Sequence, residues 1–234
     1  MFINKLDITK YQRCFTFGDS YTKYYWPTYP DIIKEYIPET HNWGLKGAGN
    51  HYIFNSVFEC NQRYKFNSND LVIVMWTGET REDRYFDNHW STAATSYRET
   101  MYGTEWIKKF GAEVKGNLIR DYAYIKAVKV LLEQCCDYTF LSSIPLSNEY
   151  PEVHNLYSDI TIKDSLFLRI KDTVNRPNFN DPHPTVSESL DYINSQLDCN
   201  IKYSQLEYWE EQIRSIETKN VLPNTFIRES ITRL

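Results

Sequence analysis

Residues Leu71-Val72-Ile73-Val74-Met75-Trp76 form an unbroken apolar run with no polar residue on either side of a pleat. A strand that faces water on one side alternates apolar and polar residues, so a continuous run predicts a strand covered on both faces. Helices must then lie above and below it. The rest of the chain supplies them. Residues 13–18 and Asp137 to Ser143 read as further strands, and apolar residues recur at helical spacing in the intervals. Ile53, Val57 and Phe58 mark a helical face within Asn50 to Tyr64, and Leu118, Tyr122, Ile125, Val128 and Leu132 mark a second. Further helices are predicted over Ser165 to Val174, along Val186, Leu190, Ile193 and Leu197, and over Ser204 to Glu217 with Leu206, Trp209, Ile213 and Ile216 on one side. Alternating strands and helices predict a three-layer α/β/α sandwich around a mostly parallel central sheet.

The 234 residues carry no repeat, low-complexity tract or Pro/Gly/Ser linker, so one domain over 1–234 is expected, with a core at about 13–198. Residues 77–117 turn polar and irregular, which predicts an active-site loop region or a small helical insertion. Residues 204–234 are expected to be a C-terminal helix followed by a tail. The net charge of −5 argues against a nucleic-acid partner. No apolar stretch approaches membrane-spanning length, and Met1 to Asp7 lacks a signal-peptide pattern, so a cytoplasmic protein with no membrane partner is expected. Five cysteines, an odd number without a repeating pattern, fit reduced thiols. Cys135-Cys136 begins no zinc pattern, so no metal is expected. The 19 Tyr, 12 Phe and 6 Trp fit either a large core or an aromatic surface for a sugar or peptide.

Gly18-Asp19-Ser20 ends the first strand abruptly. In parallel sheets ligands bind beyond the carboxyl ends of strands, and a serine on a turn into a helix is exposed for attack. The same tripeptide is also good turn and N-cap chemistry. A serine nucleophile needs a base, and His183 stands out among five histidines because Asp181-Pro182-His183-Pro184 puts an acid and a base on one stiff loop. Asn42 to Asn50 contains Gly44, Gly47 and Gly49, where backbone N–H groups approach a substrate closely. A phosphate-binding loop is the competing reading of that segment, but Gly-Lys-Ser/Thr is missing.

Together these residues resemble the SGNH (GDSL) hydrolase family over about 13–198, with the motifs in the family's chain order. The resemblance implies Ser20 as nucleophile and oxyanion donor, Gly47 as second oxyanion donor, His183 as base and Asp181 as its orienting partner. It implies no cofactor. Asp19, Tyr21, Trp76 and Glu79 are the expected substrate contacts. Two departures are visible. Glu79 stands where the family has an oxyanion asparagine, and an ionised carboxylate cannot donate. Thr77 and Arg81 are the candidate replacements. The usual Asp-x-x-His is shortened to Asp181-Pro182-His183, with Asn180 at the usual acid position. The expected activity is hydrolysis of a small-molecule or glycan ester, with carbohydrate O-acetyl esters as the expected substrates. An O-acyltransferase with the same site and a glycan-binding domain without activity are the alternatives.

Overall fold

Strand β1 (Arg13–Phe17) lies between β2 (Glu39–Asn42) and β3 (Asp70–Trp76), and β6 (Asp137–Ser142) completes a four-stranded, all-parallel sheet in the order β2-β1-β3-β6. The structure is a computed structural model that describes residues 7–95, 104–106, 108–109, 113–171, 181 and 183–219. Side chains of β3 alternate between two cores, as a strand covered on both faces requires. Leu71, Ile73 and Met75 pack with α1 (Tyr29–Ile33), α6 (Leu166–Lys171), α7 (Val186–Leu197) and α8 (Leu206–Lys219). Val72, Val74 and Trp76 pack with α2 (Asn50–Tyr64), α4 (Val114–Leu132) and α5 (Pro151–Leu156). The protein is therefore a three-layer α/β/α sandwich. Its amino-terminal sheet edge is pinned by the Arg13 guanidinium, which grips the buried Asp70 carboxylate through Nε at 2.8 Å and Nη2 at 2.7 Å. That fork ties β1 to β3 at the paired first residues of the two strands.

The sequence expectation contains neither strand β2 nor the hairpin found in residues 77–117. The described part of that region holds antiparallel β4 (Arg81–Phe86) and β5 (His89–Thr95) and the short helix α3 (Thr104–Trp106), while 96–103, 107 and 110–112 lie outside the described residues. The hairpin turns on Asp87 and Asn88, both at positive φ (49° and 60°), the geometry that Asp and Asn tolerate and that matches strand twist. Strand β2 has the polar sequence Glu-Thr-His-Asn, which carries no strand signal, and is held by its pairing with β1. The helix expected over Ser165 to Val174 is observed to Lys171, and the tail beyond Lys219 lies outside the described residues.

Candidate active site

The sheet order reverses between β1 and β3, so the crevice beyond their carboxyl ends is the expected binding position. Ser20 follows β1 there. Gly18 is required by space: a Cβ on it would lie 2.1 Å from Thr22 Oγ1 and 3.1 Å from the Met75 carbonyl. The chain then closes on itself, with the Thr22 and Lys23 amides donating to the Asp19 carbonyl at 3.0 and 3.1 Å and the Tyr21 amide donating to Asp19 Oδ1 at 2.9 Å. This is one isolated turn; α1 begins only at Tyr29, so no helix directly follows the serine as the motif had suggested.

Asp19, expected as a substrate contact, is fully buried, and its Oδ2 accepts from Ser143 Oγ at 2.8 Å and lies 3.2 Å from Arg81 Nη1. Its carboxylate ties the serine turn to the ends of β6 and β4. Arg81 is committed in the same way, since Nη1 also donates to the Ala48 carbonyl at 2.9 Å. Through Nη1 it links Asp19 to the glycine loop.

The glycine loop lies directly on the serine turn. The Leu45 amide donates to the Gly18 carbonyl at 3.0 Å, and the Asn42 side chain donates to the Thr22 carbonyl at 2.8 Å while accepting from the Gly44 amide at 2.9 Å. Gly47 adopts φ +75°, a conformation that a side chain would strain. Among the described residues, neither the Ser20 nor the Gly47 amide donates to a main-chain oxygen.

His183 and Asp181 form a hydrogen-bonded pair. Asp181 Oδ1 accepts from the His183 amide at 2.9 Å and from His183 Nδ1. The amide contact closes a two-residue turn that curls the carboxylate back toward the ring, which is how an acid at the shortened spacing reaches its histidine. A carboxylate only accepts, so Nδ1 carries the proton and Nε2 is the basic nitrogen. Burial opposes ionisation of Asp181, but hydrogen bonds from His183 and Tyr24 outweigh it and hold the carboxyl below its ordinary pKa. The loop rests on the serine turn's own aromatics. Tyr21 meets the His183 ring edge-on with centroids 5.6 Å apart, and Trp26 Nε1 donates to the Pro184 carbonyl at 2.7 Å. Thr185 and Glu188 then form the capping box that starts α7. Asn180 lies outside the described residues.

Thr77 presents no main-chain donor. Its amide donates to Asn50 Oδ1 at 3.0 Å, its carbonyl accepts from Asn50 Nδ2 at 2.7 Å, and its buried Oγ1 has no hydrogen-bond partner among the described residues. Glu79 is buried, and its Oε2 accepts from the Ser147 amide at 3.1 Å. Trp76 sits on the opposite face of the sheet from Tyr21 and crosses Phe140 in the second core, so it does not face the serine turn. His154 is a structural histidine: Nε2 donates to the Ser147 carbonyl at 2.7 Å, leaving Nδ1 to accept from Tyr122 Oη at 2.6 Å.

Sequence reasoning missed the residues that brace these loops. Asp83 accepts from the Gly49 and Tyr52 amides at 2.8 and 2.9 Å and so caps α2 from another element. Burial pushes its pKa up. Asn50 also donates to Asp121 at 2.7 Å, and Arg120 binds Asp121 and Glu82 at 2.7 and 2.8 Å. Burial, opposed by Arg120, pushes the Asp121 carboxyl up to about 6. Only Asn50 had a sequence signal, its place at the end of the glycine block. Among the described residues no group of His, Cys, Asp and Glu fits a metal ion, and no helix is long and apolar enough to cross a membrane.

The fold and these residues define an α/β/α sandwich with a serine turn, a glycine loop and an Asp-His pair at its topological switch point. No protein-family model matches the chain, and no curated protein matches it. Among solved structures it is similar to a member of the lipolytic protein G-D-S-L family from Veillonella parvula, with 13% identity over 76% of this chain and 91% of that one at a TM-score of 0.43. It is also similar to a GDSL-like lipase from Bacteroides thetaiotaomicron, with 13% identity over 80% of this chain and 86% of that one at a TM-score of 0.44.

Proposed function

We propose that this chain is a serine-dependent ester hydrolase. The observation that carries the reading is the Asp181–His183 pair packed, through Tyr21 and Trp26, on the turn that bears Ser20. In the proposed reaction Ser20 Oγ attacks the acyl carbon and its proton passes to His183 Nε2. Asp181 holds the Nδ1–H and favours the imidazolium. The Ser20 and Gly47 amides receive the oxyanion, a stabilisation worth roughly 3 kcal/mol per donor. Collapse of the tetrahedral intermediate expels the alcohol, protonated by His183. Water then adds to the acyl-enzyme as His183 takes its proton, releasing the acid and the free serine. Within the class we infer an O-acetyl ester of a carbohydrate, the reading favoured by the tyrosine-rich sequence from Tyr21 to Tyr36, since tyrosines pair a ring with a hydroxyl that can meet a sugar.

The test is labelling with a fluorophosphonate together with hydrolysis of p-nitrophenyl acetate. Wild type labels and turns over, while Ser20→Ala loses both, with turnover down about 10⁴-fold or more. Labelling that persists in Ser20→Ala, or a wild type inert to the probe across pH 6–9, overturns the proposal. Acetylated xylan against acetylated small alcohols then tests the carbohydrate preference.

A further inference from the structure

Tyr24 makes two contacts with the Asp-His pair that no part of the serine motif predicts. Its ring stacks on the His183 imidazole, with centroids 3.7 Å apart and planes inclined by only 16°. Its hydroxyl donates to Asp181 Oδ2, while His183 Nδ1 uses Oδ1. One aromatic side chain therefore touches both members of the pair, from the turn that carries Ser20. We propose that Tyr24 is a positioning residue, which holds the His183 plane against the serine turn and shares the Asp181 carboxylate with His183.

An imidazole on a loop two residues from its acid has freedom to rotate about χ1 and χ2, and the only flat surface parallel to it among the described ring contacts is Tyr24. Tyr24 is itself clamped edge-on by Tyr25 at 4.9 Å and by the fully buried Trp26 at 4.6 Å, so the stack is fixed from below. A ring face is also electron-rich, and favours the imidazolium that forms when His183 takes a proton. A hydroxyl bonded to Oδ2 draws carboxylate charge away from Oδ1 and weakens the pull of Asp181 on the Nδ1 proton. Burial and Asp181 both push the Tyr24 hydroxyl pKa up, so it stays a donor across the working pH range. Among the described residues, the titratable groups in contact with His183 include Asp181 on its own loop and Tyr21 and Tyr24 on the serine turn. Glu188 of α7 accepts from the Thr185 amide at 2.8 Å.

The role in turnover rests on the ester-hydrolase reading, but the geometry has a readout of its own. The His183 imidazole is titrated by NMR in wild type, Tyr24→Phe and Tyr24→Leu, with its resonance assigned by its loss in His183→Gln. Tyr24→Phe keeps the stack and frees Oδ2, so the His183 midpoint should rise by about half to one pH unit, and the acid limb of the kcat/KM profile should rise with it. Tyr24→Leu removes the stack, and kcat should fall about tenfold with KM nearly unchanged. A His183 midpoint that does not move in Tyr24→Phe overturns the proposal, even where Tyr24→Leu folds poorly. A shifted midpoint in a protein without ester turnover sustains the place of Tyr24 and overturns the ester-hydrolase reading alone.

Discussion

The Asn50 side chain holds both main-chain polar groups of Thr77, accepting from its amide and donating to its carbonyl. A side-chain amide thereby extends the sheet's hydrogen bonding past the end of β3, where the ladder stops. It welds the first residue of α2 to the strand end beside the serine turn. Both residues are fully buried, so water cannot replace the pair.

Removing that side chain should be costly. Asn50→Ala leaves the Thr77 amide and carbonyl unpaired and withdraws a donor from Asp121, each buried loss costing about 1–3 kcal/mol. We expect a fall of about 3 kcal/mol in the urea unfolding free energy with an unchanged m-value. A change within 0.5 kcal/mol, roughly the scatter of surface substitutions, would show that the loop is held elsewhere.

Much of the layer architecture was legible because it depends on local periodicity. The helix over Asn50–Tyr64 and the strand ending at Trp76 each declare themselves by spacing, as do the helical faces of α4 and α7. The edge strand β2 does not, since it is polar and owes its form to β1. Asp87-Asn88 suits a tight turn, but the polar residues on either side of it carry no strand periodicity. The site divides in the same way. Ser20, Gly47 and His183 follow from motif order, but the partners that orient them are set by contacts between distant segments. Asp19 meets Ser143 and Tyr24 meets Asp181 only once the chain has folded.

Arg81 and Asp19 form the second brace. The Asp19 carboxylate is fully buried and the Arg81 side chain is 16% exposed. Breaking such a pair leaves a charge without its counter-ion, at a cost of about 3–5 kcal/mol. Arg81→Met should lower the thermal midpoint by several degrees and reduce kcat more than it raises KM, because the serine turn and the glycine loop lose their common tie. Equal stability in the variant, measured by calorimetry, would mean that Ser143 and the Tyr21 amide suffice for Asp19.

Asp181 sets a pH dependence at the acid end. Its carboxyl is held below the ordinary value, so its interaction with His183 and Tyr24 is present above about pH 4 and is lost as pH falls through the folded pKa. Wild-type stability should therefore fall below about pH 4 in part through this group, and Asp181→Asn should lack that component. Between pH 5 and 8 Asp181 stays ionised. Turnover in Asp181→Asn should drop about 10²- to 10⁴-fold, since an amide holds the tautomer weakly and cannot favour the imidazolium. An Asp181→Asn enzyme with wild-type kcat would remove Asp181 from the proposed site.

Asp121 works in the opposite direction. Burial raises its folded pKa to about 6 from an ordinary 3.8, against the attraction of Arg120. Between those values the native state binds a proton that the unfolded chain has released, so stability declines as pH rises through the window. The shift of about 2 units corresponds to about 3 kcal/mol. Asp121→Asn cannot titrate there, while Arg120 keeps Glu82 as a partner at 2.8 Å. The wild-type unfolding free energy minus that of Asp121→Asn should therefore shrink by up to about 3 kcal/mol between pH 4 and pH 7. A difference that stays constant across this range would show that Arg120 and Asn50 already stabilise the ionised form in full, so that burial imposes no net cost on the Asp121 carboxylate.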